Sequence, residues 1–218
     1  MKVLLISASP HEQKSRTFLL AQGIVKGLAQ EAIDTDTIHL AGCQIAFCRH
    51  CEACHKKMLN CSISDDAHNI LRKMLEADGI ILASPNYINQ VTGSMKTLFD
   101  RSAHFIHCKR LLGKFVAGVV TSGSGQDEQV LDYIRFYGHT CGAQYSGGIS
   151  CRNSEVESKE QEAALLGRKL AADIKSKKIY PEQNEIIEKS KLHFAAVMKL
   201  RRNDWQEEYK YWQDKGWL

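Results

Sequence analysis

Apolar runs of strand length alternate with stretches of helical period through most of this sequence, and that alternation restricts the fold to a narrow class. Lys2–Ala8 (KVLLISA) is almost continuously apolar, as a parallel strand buried on both faces requires. Helical spacing follows over residues 17–32, where Leu20, Ile24 and Leu28 fall four apart with Ala21 and Val25 beside them. A second strand is expected over Asp34–Leu40, and a helix from Asp65 or Asp66 to about Glu76, with Ile70, Leu71 and Met74 on its apolar side. The pattern then repeats: strand 78–84, helix 93–104, strand 114–122, a helix ending near Gly142, a weaker strand 143–150 and a helix over about 154–177. Five strands alternating with helices imply an α/β fold, a doubly wound five-stranded parallel sheet, with right-handed connections and a binding edge at the strands' carboxyl ends.

At 218 residues the chain suits one domain with an appendage. Residues 1–180 are expected to form the domain, with a cysteine-rich insertion at 43–66, and Pro181 opens a helical, aromatic extension over 181–218. With 44% apolar residues a core of useful size is available, so the eight cysteines are not needed to rescue a small fold. A net charge of +4 without a run of five like charges gives no nucleic-acid stripe. The apolar start, MKVLLISASPHEQ, breaks at Pro10 before it reaches the length of a secretory leader, and nothing approaches the roughly 18 apolar residues of a membrane span. The expectation is a cytoplasmic protein with reduced or metal-bound cysteines, and no membrane or nucleic-acid partner. Trp205, Tyr209, Trp212 and Trp217 of the charge-balanced tail need a surface to bury against, either the domain or a sister subunit.

Loops after strands one, three and four meet at the binding edge of such a sheet. The first, SASPHEQKSRT, offers the hydroxyls of Ser9, Ser15 and Thr17, the charges of Lys14 and Arg16, and the N-terminus of the following helix, a site for a phosphate dianion. It is neither a dinucleotide fingerprint nor a Walker A loop. The second, SPNYINQVTGSMK, has Pro85 to fix the backbone, Tyr87 as a flat surface, and Asn86, Ile88 and Asn89 at hand for a heteroaromatic edge. In the third, TSGSGQDEQ, Thr121, Ser122, Gly123 and Gly125 let main chain approach a flat ligand closely. Together they describe a ligand with a phosphate at one end and a planar ring at the other, which flavin mononucleotide (FMN) fits.

These loops resemble the flavodoxin-like NADPH-dependent FMN reductases. SASP…SRT is similar to their phosphate loop, S-P-R-x-x-S/G-N-T, and SPNYINQVTGSMKTLFDR to their ring loop, S-P-x-Y, a short turn, S/T-G and x-K-x-F-x-D-R. The likeness runs from about Lys2 to Lys177. His11 stands where that family has arginine, and Arg16 is the cation expected to replace its charge. Cys48, Cys51, Cys54 and Cys61, followed by SISDD, resemble the C-x2-C-x2-C-x4–7-C and I-x-D-D pattern of the iron–sulfur flavoprotein branch.

Consecutive C-x2-C steps wrap cubane clusters in ferredoxin-type loops, whereas structural zinc usually uses two knuckles a dozen or more residues apart. A 4Fe–4S cluster is therefore expected on Cys48, Cys51, Cys54 and Cys61, with zinc, a thiol–disulfide pair and an unloaded loop as alternatives. His50 and His55 flank these cysteines as solvated residues, as donors behind the ligands or as spare ligands, and Cys43, Cys108, Cys141 and Cys151 read as small apolar side chains, Cys43 alone being near enough to swap in as a ligand. No dedicated catalytic side chain is visible, as flavin chemistry needs none. The resemblance implies an FMN-dependent oxidoreductase that passes electrons from ferredoxin through the cluster to FMN and on to a small acceptor such as a quinone, oxygen or peroxide. An NAD(P)H-dependent FMN or quinone reductase without a cluster and a metal- or redox-sensing module are the alternatives. A homodimer or homotetramer is expected, the aromatic tail packing on another subunit and the cysteine loop meeting the flavin across an interface.

Overall fold

A computed structural model describes residues 1–218. Five parallel strands, β1 (Lys2–Ser7), β2 (Asp34–His39), β3 (Gly79–Pro85), β4 (Phe115–Ser122) and β5 (Gln144–Arg152), form one sheet in the order β2-β1-β3-β4-β5. The chain steps outward from β1 to β2 and then returns past β1 to β3. That reversal opens the sheet's carboxyl edge between β1 and β3, the place where a flavodoxin-like order positions a ligand.

The helices are α1 (Arg16–Gln30), α2 (Ala53–Lys56), α3 (Ala67–Glu76), α4 (Gly93–Asp100), α5 (Ala103–His107), α6 (Glu128–Thr140), α7 (Glu160–Ser176), α8 (Pro181–Leu200) and α9 (Gln206–Asp214). Alternate strand residues feed opposite cores because side chains of a strand point alternately to its two faces. Leu4, Ile6, Ile80, Leu82, Val116 and Val120 pack with α3, α4 and α6. Val3, Leu5, Ile81, Ala117 and Val119 pack with α1 and α7 on the other face. Glycines set the distance between those two helices: a Cβ on Gly27 would lie 2.1 Å from the Ala164 carbonyl oxygen, and one on Gly167 2.1 Å from that of Ile24.

Two helices differ from the sequence expectation. The helix expected over 93–104 breaks after Asp100, because buried Ser102 turns its hydroxyl onto the Phe99 carbonyl at 2.7 Å and lies 2.8 Å from the Tyr137 hydroxyl. The helix expected from 154 starts at Glu160, after two 3-10 turns at Asn153–Glu155 and Glu157–Lys159. No helix is long and apolar enough to cross a membrane.

Beyond Pro181, α8 and α9 fold back on the chain's own surface. Trp212 is wholly buried and Trp205 nearly so, in a small third core with Cys108 and Met198. The aromatic tail therefore finds its surface within the same chain, and its large side chains are no argument for an interface between subunits. Lys109 anchors the start of this layer, donating from a buried ammonium to the carbonyls of Ile106 and Thr140 and to Ser190 Oγ of α8.

Candidate functional site

The three loops read from the sequence do meet, and they are bonded to one another. Ser15 caps α1, its hydroxyl accepting from the Phe18 N–H at 3.3 Å, so the first turn of α1 opens onto the first loop beside buried Ser9. Thr17 Oγ1 and Thr121 Oγ1, both buried, lie 2.7 Å apart and join the first loop to the third. Asn86 joins the second to the third, its N–H donating to the Thr121 carbonyl at 2.8 Å and its side-chain amide to the carbonyls of Gly125 and Gln126 at 3.3 Å.

Ile88 and Asn89 both adopt positive φ (52° and 57°) between the paired residues Tyr87 and Gln90, a tight turn that lifts half-exposed Tyr87 and almost fully exposed Ile88 above the edge. Pro85 ends β3 and is partly buried, and the Ser122 hydroxyl accepts from the Gly125 N–H at 2.9 Å. The loops leave two features suited to a planar polar ligand. Asn86 Oδ1 is buried without a hydrogen-bond partner, and a Cβ on Gly123 would meet no atom within 4 Å.

Arg16 does not serve the first loop. Its guanidinium makes a two-point pair with Glu157 and donates to the Asn153 carbonyl at 2.9 and 2.6 Å, tying α1 to the turn after β5. Residue 16 is the first of α1, and its side chain leaves the helix toward that turn rather than toward Ser9. Exposed Lys14 is the cationic side chain that remains in the first loop, with the exposed imidazole of His11 beside it.

Cys48, Cys51, Cys54 and Cys61 all line one small cavity of about 80 Å³. His50 and Glu52, on either side of Cys51, both adopt positive φ (50° and 58°). The His50 N–H donates to Cys48 Sγ at 3.4 Å, and the Ser62 hydroxyl lies 3.1 Å from Cys51 Sγ. That contact from Ser62, helped by backbone N–H groups, holds the Cys51 thiol below its usual range. Burial pushes the Cys54 thiol up to about 12, so a metal binding there must displace a proton.

The ends of this loop are closed by the SISDD turn. Asp66 accepts from the Gln44 N–H at 2.7 Å, and Asp65 accepts from the N–H groups of Ala46 (2.9 Å) and Ala67 (3.1 Å). Asp65 also meets Arg101 in a buried two-point pair at 2.5 and 3.0 Å, and Arg101 donates onward to Cys61 Sγ at 3.3 Å. Arg101 is the last residue of the ring-loop pattern read from the sequence, so α4 carries the second loop at one end and the wall of the cysteine cavity at the other. Its eight residues span roughly 12 Å.

Five participants have partners that were not legible in the sequence. The guanidinium of Arg101 is one. The others form a largely buried group beside Cys54: His55 Nδ1 lies 2.7 Å from Glu208 Oε1, His107 Nδ1 lies 3.1 Å from Glu208 Oε2, and the Trp205 ring stacks on His107 and lies tilted against His55. His55, a candidate solvated residue by its sequence surroundings, is buried, while His50 is exposed. The one sequence signal for Glu208 is weak, a carboxylate three residues after a tryptophan in an amphipathic tail.

Residues 1–150 match the family model described as NADPH-dependent FMN reductase. An iron–sulfur flavoprotein of Archaeoglobus fulgidus is 28% identical over the full length of both chains. One of Methanocaldococcus jannaschii is 31% identical over 80% of this chain and 98% of its own. Among solved structures, a flavone reductase is alike in fold, with a TM-score of 0.66 at 18% identity, covering 80% of this chain and 63% of that one. With these iron–sulfur flavoproteins, the chain belongs to the NADPH-dependent FMN reductase family and is a flavin-dependent oxidoreductase.

Proposed function

We propose that this oxidoreductase passes electrons from ferredoxin through a 4Fe–4S cluster to FMN and on to a small acceptor such as a quinone, oxygen or peroxide. The observation that carries the reading is the convergence of Cys48, Cys51, Cys54 and Cys61 on one cavity, a donor set suited to an anionic thiolate cluster. A bound cluster supplies single electrons and FMN handles one or two, so neither demands a catalytic side chain. The names of the relatives support the same assignment.

The chain's own residues hold and orient. Ser9, His11, Ser15 and Thr17, with the N-terminus of α1, receive the FMN phosphate; Arg16 contributes through the position of α1. Pro85, Asn86, Tyr87, Ile88 and Asn89 on one side, and Thr121, Ser122, Gly123 and Gly125 on the other, frame the ring, with Asn86 Oδ1 free to accept from it. Exposed Phe47, beside Cys48, and exposed Ile88, in the second loop, leave a large apolar side chain uncovered at each site and support a homodimer or homotetramer closing over them.

Flavin reduction by reduced ferredoxin and by NAD(P)H, compared in the wild type and in Cys54→Ser under anaerobic conditions, tests this reading. Ferredoxin is expected to reduce the wild-type flavin and to fail with Cys54→Ser, while dithionite reduces both. Reduction by NAD(P)H at equal rates in the two proteins, with no response to ferredoxin, would replace the proposal with a reductase that needs no cluster.

A further inference from the structure

The segment of the cysteine loop that follows Cys51 is held from one direction by the C-terminal extension. Arg201 pairs with Glu52 at 3.4 Å, and the Trp205 indole N–H donates to the same carboxylate at 3.2 Å. The Glu207 carboxylate accepts from the Met58 N–H, and Glu208 bonds His55. All four groups come from residues 201–208, and their targets surround Cys54, with Glu52 next to Cys51 and His55 next to Cys54.

Glu208 is the central one. It has no exposed surface, and a carboxylate so placed is stable only with its oxygens bonded. Burial alone would raise its pKa, yet the bonds from His107 and His55 hold it below the usual carboxylate range. One oxygen faces His55 in the loop and the other faces His107 in α5, so a single side chain fastens the loop to the domain. The rings of His55, His107 and Trp205 pack against one another with centroids 4.6 to 4.8 Å apart, which restricts how far either imidazole can turn from Glu208.

We propose that Glu208 is a positioning residue for the metal loop: through His55 it sets the α2 turn, and with it Cys54, in the ligating arrangement before any metal binds. The inference rests on reading the four cysteines as metal ligands. Supports behind metal ligands fix ligand orientation, and losing one typically weakens retention about 10–100-fold.

The test uses the full chain, stripped of metal under reducing conditions, as wild type, Glu208→Ala, Glu208→Gln and His55→Leu. Hydrogen exchange is followed on peptides covering 48–61, with β1, β3 and β4 as internal references. The same proteins are then loaded with iron and sulfide, and iron loss to a chelator is timed. Wild type is expected to protect the loop without metal. Glu208→Ala loses that protection while the strands keep theirs, and releases iron roughly 10–100-fold faster. Glu208→Gln, which keeps an acceptor oxygen, recovers part of both properties. Should Glu208→Ala not fold, His55→Leu cuts only the bond on the loop side and is expected to show the same local loss. A loop unprotected in metal-free wild type, or protected equally in the variants, would overturn the proposal. If wild type takes up no iron, the cluster reading fails by itself, and the exchange comparison still decides what Glu208 does.

Discussion

A guanidinium with almost no exposed surface must have its charge answered nearby, and Arg101 meets Asp65, itself mostly buried, through both of its terminal nitrogens. Both residues sit in patterns readable in the sequence, one closing the ring loop and one following the cysteines. Their bond was not readable, because 36 positions separate them and only the fold brings them together. Asp65→Asn leaves the charge of Arg101 buried and unanswered, which is expected to cost about 3–5 kcal/mol in chemical denaturation and to loosen the turn behind Cys61. His104 makes the opposite case, a buried imidazole with neither ring nitrogen bonded. Burial, aided by Arg110, lowers its pKa from 6.5 to about 3. Below pH 6.5 the unfolded chain binds a proton there that the folded chain refuses. Stability is therefore expected to fall as pH drops from about 6.5 to about 3, by up to about 1.4 kcal/mol per pH unit. Denaturation curves across that range should be flatter for His104→Leu.

Among the elements, the strands were legible because both faces of the sheet are covered, which leaves apolar runs that only a buried strand explains. The three loops were legible as a set, since the strand order fixes which loops share an edge. Helix limits were less so: the break between α4 and α5 depends on Ser102 finding the Tyr137 hydroxyl, a tertiary contact with no local signal. The crossing of α1 and α7 was also hidden, because a glycine within a helical pattern does not name the backbone it will face. Gly167→Ala places a methyl against the Ile24 carbonyl and forces the helices apart. Overpacking of this kind costs about 1–3 kcal/mol, and for a chain of this size each kcal/mol lowers the melting temperature by roughly 2–4 °C. A thermal melt should show the loss. The three loops follow β1, β3 and β4 at the carboxyl edge of the sheet, where Thr17 at the start of α1, Thr121 near the end of β4 and Asn86 just after β3 bond them to one another.

Over the whole molecule, the carboxyl edge of the sheet and the cysteine cavity are two places on one frame, linked by α4, the cavity being covered by the extension that holds α8 and α9. The tail's aromatic content announced burial, but the expectation set it against another subunit, because nothing in its sequence names the surface it covers; the surface proves to be the chain's own, where Trp212 donates its indole N–H to the His107 carbonyl at 3.2 Å. Truncating that indole in Trp212→Ala is expected to cost about 3–5 kcal/mol, seen in chemical denaturation. The central claim, that the four cysteines load a cluster beside a flavin, is tested most directly by the absorbance spectrum of anaerobically purified protein taken together with iron, sulfide, zinc and FMN assays on the same sample. The account predicts a broad band near 400 nm beneath the flavin bands, with about four iron and four sulfide per chain and no zinc. Stoichiometric FMN accompanied by zinc, or by no metal at all, would contradict it.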